Sequence, residues 1–250
     1  MKKKLCLLVF CLLVLSSVCA FSEGVIPVEI ADNAEARSGS GFRFEKNTLH
    51  ITSPGDYLIS GTLSDGQISV DCSADGKVTL YLNGVSVHNE TGPAILIGEC
   101  SPRAVIFSVD QTDNQLTNGN SLILTDGDEP DGVIFSRSDL TLDGAGSLTV
   151  TAGALNGIVS KDDLKIKGGI LSVTAPQHGI KGKDFVEISD GSLQISAGRD
   201  GIKSSNKSDS SLGYIEIIGG SISIECGDDP LSFVTFCSIT GGSLGIRLIR

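Results

Sequence analysis

Acidic and amide side chains recur at a fixed interval in the second half of the chain, and that interval could do chemistry. Asp131, Asn156, His178, Asp200 and Asp229 each stand just before a short apolar run. Asp162, Asp184 and Asn206 form a second set, with Asp163 and Asp228 beside the two sets and Asp209 in an insertion. If the segments stack as neighbouring strands, equivalent side chains lie about 4.8 Å apart. Carboxylates that close repel unless a cation sits between them. Calcium takes oxygen ligands at about 2.3–2.6 Å, near half that spacing. The columns therefore predict a Ca2+ ladder. The competing expectation is plain turn chemistry, because Asp-Gly and Asn-Gly are common turn pairs with solvated side chains.

Cations follow the same interval. Arg137, Lys161 and Lys183 make one column next to Asp162 and Asp184, and Lys181 aligns with Lys203. Such a row could grip the carboxylates of a polyuronate while calcium bridges others, or it could pair with the neighbouring aspartates. No hydroxyl–imidazole–acid constellation is legible, since His50, His88 and His178 are scattered. The Gly-Gly pairs open no helix and so cradle no phosphate. With no tryptophan, flat platforms for neutral sugar rings are scarce, which favours an acidic ligand over crystalline cellulose. Tyr57, Tyr81 and Tyr214 read as structural.

The elements that position these residues repeat. Gly146-Ser147-Leu148-Thr149-Val150 recurs from Gly169, Gly191, Gly220 and Gly242, in steps of 23, 22, 29 and 22 residues. The long step holds an insertion around Ser205 to Leu212. Each repeat adds a second short strand, as at Gly157-Ile158, and a third, as at Leu164 and Ile166. Three half-apolar strands cannot form a core alone, but stacked repeats bury those faces in one column. The expected fold is all-β, a right-handed parallel β-helix with coils of about 22 residues. A β-propeller needs about 40 residues per blade. The 31 glycines and single methionine fit an all-β body.

Residues 1–20 read as a secretory signal peptide: Lys2-Lys3-Lys4, an apolar run from Leu5 to Leu15, then small residues to Ala20. The protein is expected to be secreted or at the cell surface, with a lipid anchor on Cys19 as the alternative. Residues 21–45 show no period and read as a flexible leader, and 46–250 as the β-helix. Net charge is −11, and −14 once the three signal lysines leave. That repels nucleic-acid phosphates and anionic lipid heads, leaving both poor partners. No later run is long enough to span a membrane, and a monomer is expected. Cys72, Cys100, Cys226 and Cys237 follow the signal, with spacings that fit no metal motif. Two disulfides are conceivable in an oxidising compartment, but Cys226 and Cys237 occupy repeat positions held elsewhere by Ala197 and Ile215, which suits small buried thiols.

The blocks Tyr57-Leu58-Ile59-Ser60-Gly61, Val78 to Val85, Gly157-Ile158-Val159-Ser160-Lys161-Asp162-Asp163-Leu164 and Asp200-Gly201-Ile202-Lys203-Ser204 resemble one bacterial family. It is the calcium-binding, cellulose- and pectin-binding β-helix family of carbohydrate-binding domain-containing proteins. The resemblance runs from about residue 45 to 250. It implies a pectate-lyase-like fold, bound calcium, and extracellular polysaccharide held without cleavage. The alternatives are a calcium-dependent polysaccharide lyase, with Arg137, Lys161 or Lys183 as base, and a structural surface protein or adhesin. Asp229-Pro230-Leu231 stands where another Asp-Gly-Ile turn is expected, and the chain stops inside a coil, so a truncated C-terminus is expected.

Overall fold

The computed structural model describes residues 24–124 and 129–249. The signal-peptide reading of residues 1–20 lies outside them. Among the described residues there is no helix, and no helix long and apolar enough to cross a membrane.

Nearly every strand pairs in parallel with its counterpart one repeat away, not with its neighbour in sequence. Ser147–Thr151 pairs Ile170–Ala175, which pairs Ser192–Ala197, then Ser221–Cys226, then Ser243–Leu248. A second series runs through Gly132–Ser136, Asn156–Ser160, Ile180–Gly182, Ile202–Ser204 and Leu231–Ser232. A third runs through Leu140–Gly144, Leu164–Ile166, Phe185–Ile188, Tyr214–Ile217 and Cys237–Ile239. The long strand Val78–Asn89 pairs Ala104–Ser108 with its first half and Asp113–Asn118 with its second. It thereby joins the first and third series into one 15-stranded sheet. The second series forms a 10-stranded sheet.

Alternation turns this pairing into a core. Ser192–Ala197 alternates exposed or half-buried with fully buried residues, placing Leu193, Ile195 and Ala197 inward. Leu148, Leu171, Leu193 and Ile222 are in register and buried. Strands paired on both sides satisfy their backbone groups, and the inward side chains supply the apolar burial.

Two glycine columns have different causes. Gly191 adopts φ +109, and a Cβ there would lie 3.0 Å from the Gly169 carbonyl oxygen one repeat below, so the left-handed corner needs glycine. Gly157, Gly179 and Gly201 are not in that region. A Cβ at Gly179 would lie 2.5 Å from Ile195 Cγ2. The Asn-Gly, His-Gly and Asp-Gly pairs are thus packing requirements of the core rather than turn chemistry.

Residues 24–45 correct the flexible-leader expectation. Ile26–Ala31 pairs in parallel with Gly55–Leu63 and buries Val28 and Ile30. Arg37–Gly39, Phe42–Glu45 and Thr48–Ile51 form an antiparallel meander that buries Phe44. A segment too short to repeat carries no period, so only its partners reveal it.

Leu193 is the simplest test of the inward face. Leu193→Ala removes buried methyl groups between two packed repeats, and urea unfolding should show a loss of about 2–4 kcal/mol. An unchanged midpoint would place Leu193 outside the core.

Candidate functional site

Three carboxylates meet at the corner between the second and third strand series. Oxygens of Asp139, Asp162 and Asp163 all lie within 4.8 Å of one another. The corner is built from beneath by buried hydroxyls. Ser160 Oγ donates to the Asp163 carbonyl at 2.9 Å and accepts from the Asp162 N–H at 3.2 Å. Ser136, one repeat earlier, does the same for the Ser138 carbonyl and N–H at 2.6 and 3.2 Å. Both serines are fully buried. The closed turns swing successive acids outward on the same side, and parallel pairing then stacks them.

Asp184 extends the cluster by one repeat. Its Oδ1 accepts from Asn206 Nδ2 at 2.6 Å. Asn206 is buried, and its Oδ1 accepts from the Ser208 and Asp209 N–H groups at 2.9 and 3.0 Å. The amide therefore organises the insertion and positions Asp184.

The cluster is electrostatically tense. Burial, then Asp139 and Asp162, push the Asp163 carboxyl up to about 6. Burial, followed by Asp184 and Asp139, raises Asp162 as well, with Lys183 opposing. Oxygens this close, with the Asp162 and Asp163 carboxyls raised in proton affinity, form a hard donor set that suits a divalent oxygen-seeking cation.

A groove leads away from this corner. One cleft of about 400 Å³ is lined by Asp139, Asp162, Arg137, Ser138, Glu99, Ser101 and Pro102. A second, of about 600 Å³, shares Ser73, Glu99, Arg137 and Ser138 and continues past Leu96 to Ser69 and Asp71. The groove thus crosses the repeats and ends at the acid corner.

The other expected metal column does something different. Asn156 Nδ2 donates to Asp131 Oδ2 at 2.8 Å, and Asn156 Oδ1 accepts the His178 N–H at 3.1 Å. His178 Nδ1 accepts the Asp200 N–H at 3.4 Å, and Asp200 Oδ1 accepts the Asp229 N–H at 3.2 Å. Asn156, His178 and Asp200 thus each hold the backbone of the next repeat, and Asp131 holds the Asn156 side chain. Asp131 Oδ1 is buried without a hydrogen-bond partner among the described residues, and burial raises that carboxyl against the pull of Lys181. Asp200 is pushed up by burial, but the Lys203 hydrogen bond and the Asp229 N–H outweigh this and hold it below the usual range. Asp131, Asn156, Asp200 and Asp229 therefore stand apart from the acid corner as a hydrogen-bonded ladder. Asp228 and Asp229 are exposed. Asp209 is exposed too, its Oδ1 taken by the Ser211 N–H and hydroxyl at 2.8 and 2.6 Å.

The cationic columns are largely neutralised. Glu129 pairs with both Lys161 and Arg137. Lys181 lies 3.6 Å from Asp131 Oδ2, and Lys203 Nζ lies 2.6 Å from Asp200 Oδ2. Lys183 forms no ion pair of its own among the described residues, and its charge bears on Asp162.

Asp139 escaped the sequence columns. It precedes Leu140 as Asp163 precedes Leu164, and these leucines are in register, so alignment on the third strand rather than the second would have found it. Along the same column the next repeats place Phe185, Tyr214 and Phe236. Their rings stack at 4.9 and 4.8 Å and within 9° of parallel.

The fold is all-β and built from parallel strands, and comparison with known proteins gives the family. The profile of carbohydrate-binding domain-containing proteins matches residues 45–249, and the chain belongs to that family. A carbohydrate-binding domain-containing protein of Acetivibrio thermocellus is 37% identical over 146 residues, which are 58% of this chain and 51% of that protein. The match thus spans about half the length of that relative. The solved structure of the polysaccharide lyase-like protein from C. thermocellum, a gadolinium derivative, superposes with a TM-score of 0.77 and 34% identity, covering 90% of this chain and 95% of that one.

Two titrations test these environments. Asp163 has its proton affinity raised on folding, so its contribution is fully favourable below about pH 4 and is lost as pH rises through about 6. In chelator, Asp163→Asn should melt higher than wild type at pH 8, with the difference fading below pH 4. His178 is opposite: burial, then Lys203, lower its affinity to about 4. Its contribution is present above about pH 6.5 and is lost as pH falls through about 4. His178→Asn, copying the Asn156 solution, should flatten the acid side of the stability profile measured by thermal melts.

Proposed function

We propose that this chain is a right-handed parallel β-helix that binds extracellular polysaccharide without cleaving it, with calcium held at Asp139, Asp162, Asp163 and Asp184. One observation carries the reading: the mutually close carboxylates of the corner lie at the end of a groove that crosses the repeats. Family membership supplies the class of ligand.

A cation there would offset the burial and the mutual repulsion that raise Asp162 and Asp163, and would present positive charge toward the groove. An acidic chain such as polygalacturonate could then bind a protein whose net charge is −11. Without the cation, like charges would repel it. Lys183 and the outer edge of Arg137 add the remaining positive charge. Because Lys161, Lys181 and Lys203 are held by carboxylates, they serve this reading as internal ion pairs more than as ligand grips. Cellulose is the second ligand within the same class. The export implied by residues 1–20 accords with a polymer that exists outside the cell.

Calcium in the millimolar range of extracellular sites should raise the melting temperature by about 5–10 °C. Asp139→Asn with Asp162→Asn should remove most of that gain. Sedimentation or affinity electrophoresis with polygalacturonate should show retention that needs calcium, weakens in salt, and falls in Lys183→Ala. Retention indifferent to both calcium and salt would overturn the acidic-ligand reading. Release of unsaturated uronides, absent in Lys183→Ala, would make the protein a lyase.

A further inference from the structure

Cys72 and Cys100 end consecutive strands of the second series, Gln67–Cys72 and Ile95–Cys100, and they are direct partners in the parallel ladder. Both face inward and are buried, 2% and 4% exposed. Both thiols are free in this structure. Two features set them apart from Cys226 and Cys237, which sit on strands of different series. Register partners on neighbouring strands lie about 4.8 Å apart at Cα, inside the window of about 4.4–6.8 Å that a disulfide spans. The ladder is also irregular between Val70 and Cys72, which gives these two Cβ atoms a freedom that a strict parallel pair lacks.

The pair occupies a particular place. Cys72 and Cys100 line the 400 Å³ cleft together with Asp139 and Asp162. The turns that leave them form its rim. At present that rim is joined by the Gly76 N–H donating to the Ser101 carbonyl at 2.7 Å and by Ser101 Oγ donating to Asp75 at 3.2 Å. The second of these is exposed. Cys72 lies against the Ala74 carbonyl at 3.4 Å and Cys100 against the Arg103 carbonyl at 3.2 Å, with the Val78 backbone also hydrogen-bonded to Cys100.

We propose that Cys72 and Cys100 are joined by a disulfide between adjacent repeats when the protein folds in an oxidising compartment, fixing the rim of the cleft. The oxidant is a disulfide, of the oxidoreductase or glutathione class. One cysteine thiolate attacks it to give a mixed disulfide. The second thiolate attacks the protein sulfur of that bond, forming the S–S link and releasing the oxidant as two thiols. Two thiol protons leave and two electrons pass to the oxidant. Burial raises the Cys100 thiol and closes both sulfurs to solvent, so the exchange precedes closure of the stack.

The inference does not depend on what the cleft binds. Purified protein refolded with oxidised and reduced glutathione is denatured without reductant, alkylated, digested and mapped by mass spectrometry. The expected product is a peptide pair linked through Cys72 and Cys100, with Cys226 and Cys237 alkylated. Reductant should lower the melting temperature by roughly 5–10 °C in wild type and in Cys226→Ala/Cys237→Ala, and leave Cys72→Ala/Cys100→Ala unmoved. Alkylation of all four cysteines, a link through another pair, or an equal reductant effect in Cys72→Ala/Cys100→Ala would overturn it. Polysaccharide retention measured on the same samples reports separately on the proposed function.

Discussion

Parallel, in-register pairing between repeats is the constraint on which the rest depends. It fixes neighbouring strands about 4.8 Å apart and turns each position of the repeat into a column. Apolar columns become the core, as with Leu148, Leu171, Leu193 and Ile222. Polar columns have no such freedom. Whatever stands at a corner is pressed against its own likeness, so every polar column has to be solved as a stack.

The structure solves its polar columns in three ways. In the column Asp131, Asn156, His178, Asp200 and Asp229, the Asp131 carboxylate accepts from the Asn156 amide, and Asn156, His178 and Asp200 each accept the backbone N–H of the next repeat. The ladder adds fixed hydrogen bonds where bare corners would leave N–H groups unpaired. Arg137, Lys161, Lys181 and Lys203 are stacked cations set against Glu129, Asp131 and Asp200. Asp139, Asp162, Asp163 and Asp184 receive no such neutralisation beyond the influence of nearby lysines. Buried serines hold their turns closed and keep the repulsion in place. This is where the fold retains unbalanced charge, and it is the end of the groove.

The same column that carries Asp139 and Asp163 changes character one repeat later, to Phe185, Tyr214 and Phe236. Stacked rings turn their faces to one another, so the ladder offers mainly edges to solvent. It serves packing along the corner, with Lys165 over the Phe185 ring at 5.1 Å. Acids and aromatics are thus two occupants of one geometry, and only the acids leave it with unbalanced charge.

The sequence by itself determined the repeat, the inward columns and the presence of stacked acids, because each is a consequence of period and alternation. Gly146, Gly169, Gly191, Gly220 and Gly242 marked the period, and Leu148, Leu171, Leu193 and Ile222 are buried in register as it requires, with Leu244 half-buried in the last repeat. The paired column Asp162 and Asp184 was also legible. Three things needed the tertiary structure. Asp139 shares a sequence column with Asp163, but how closely the acids of the two columns approach depends on how sharply each turn closes, which Ser136 and Ser160 set through hydrogen bonds invisible in a pattern. Whether a lysine is free depends on Glu129, which reaches Arg137 and Lys161 from outside the repeat. Residues 24–45 have no period of their own, so their strands exist only through pairing with later segments, and a non-local contact leaves no local trace.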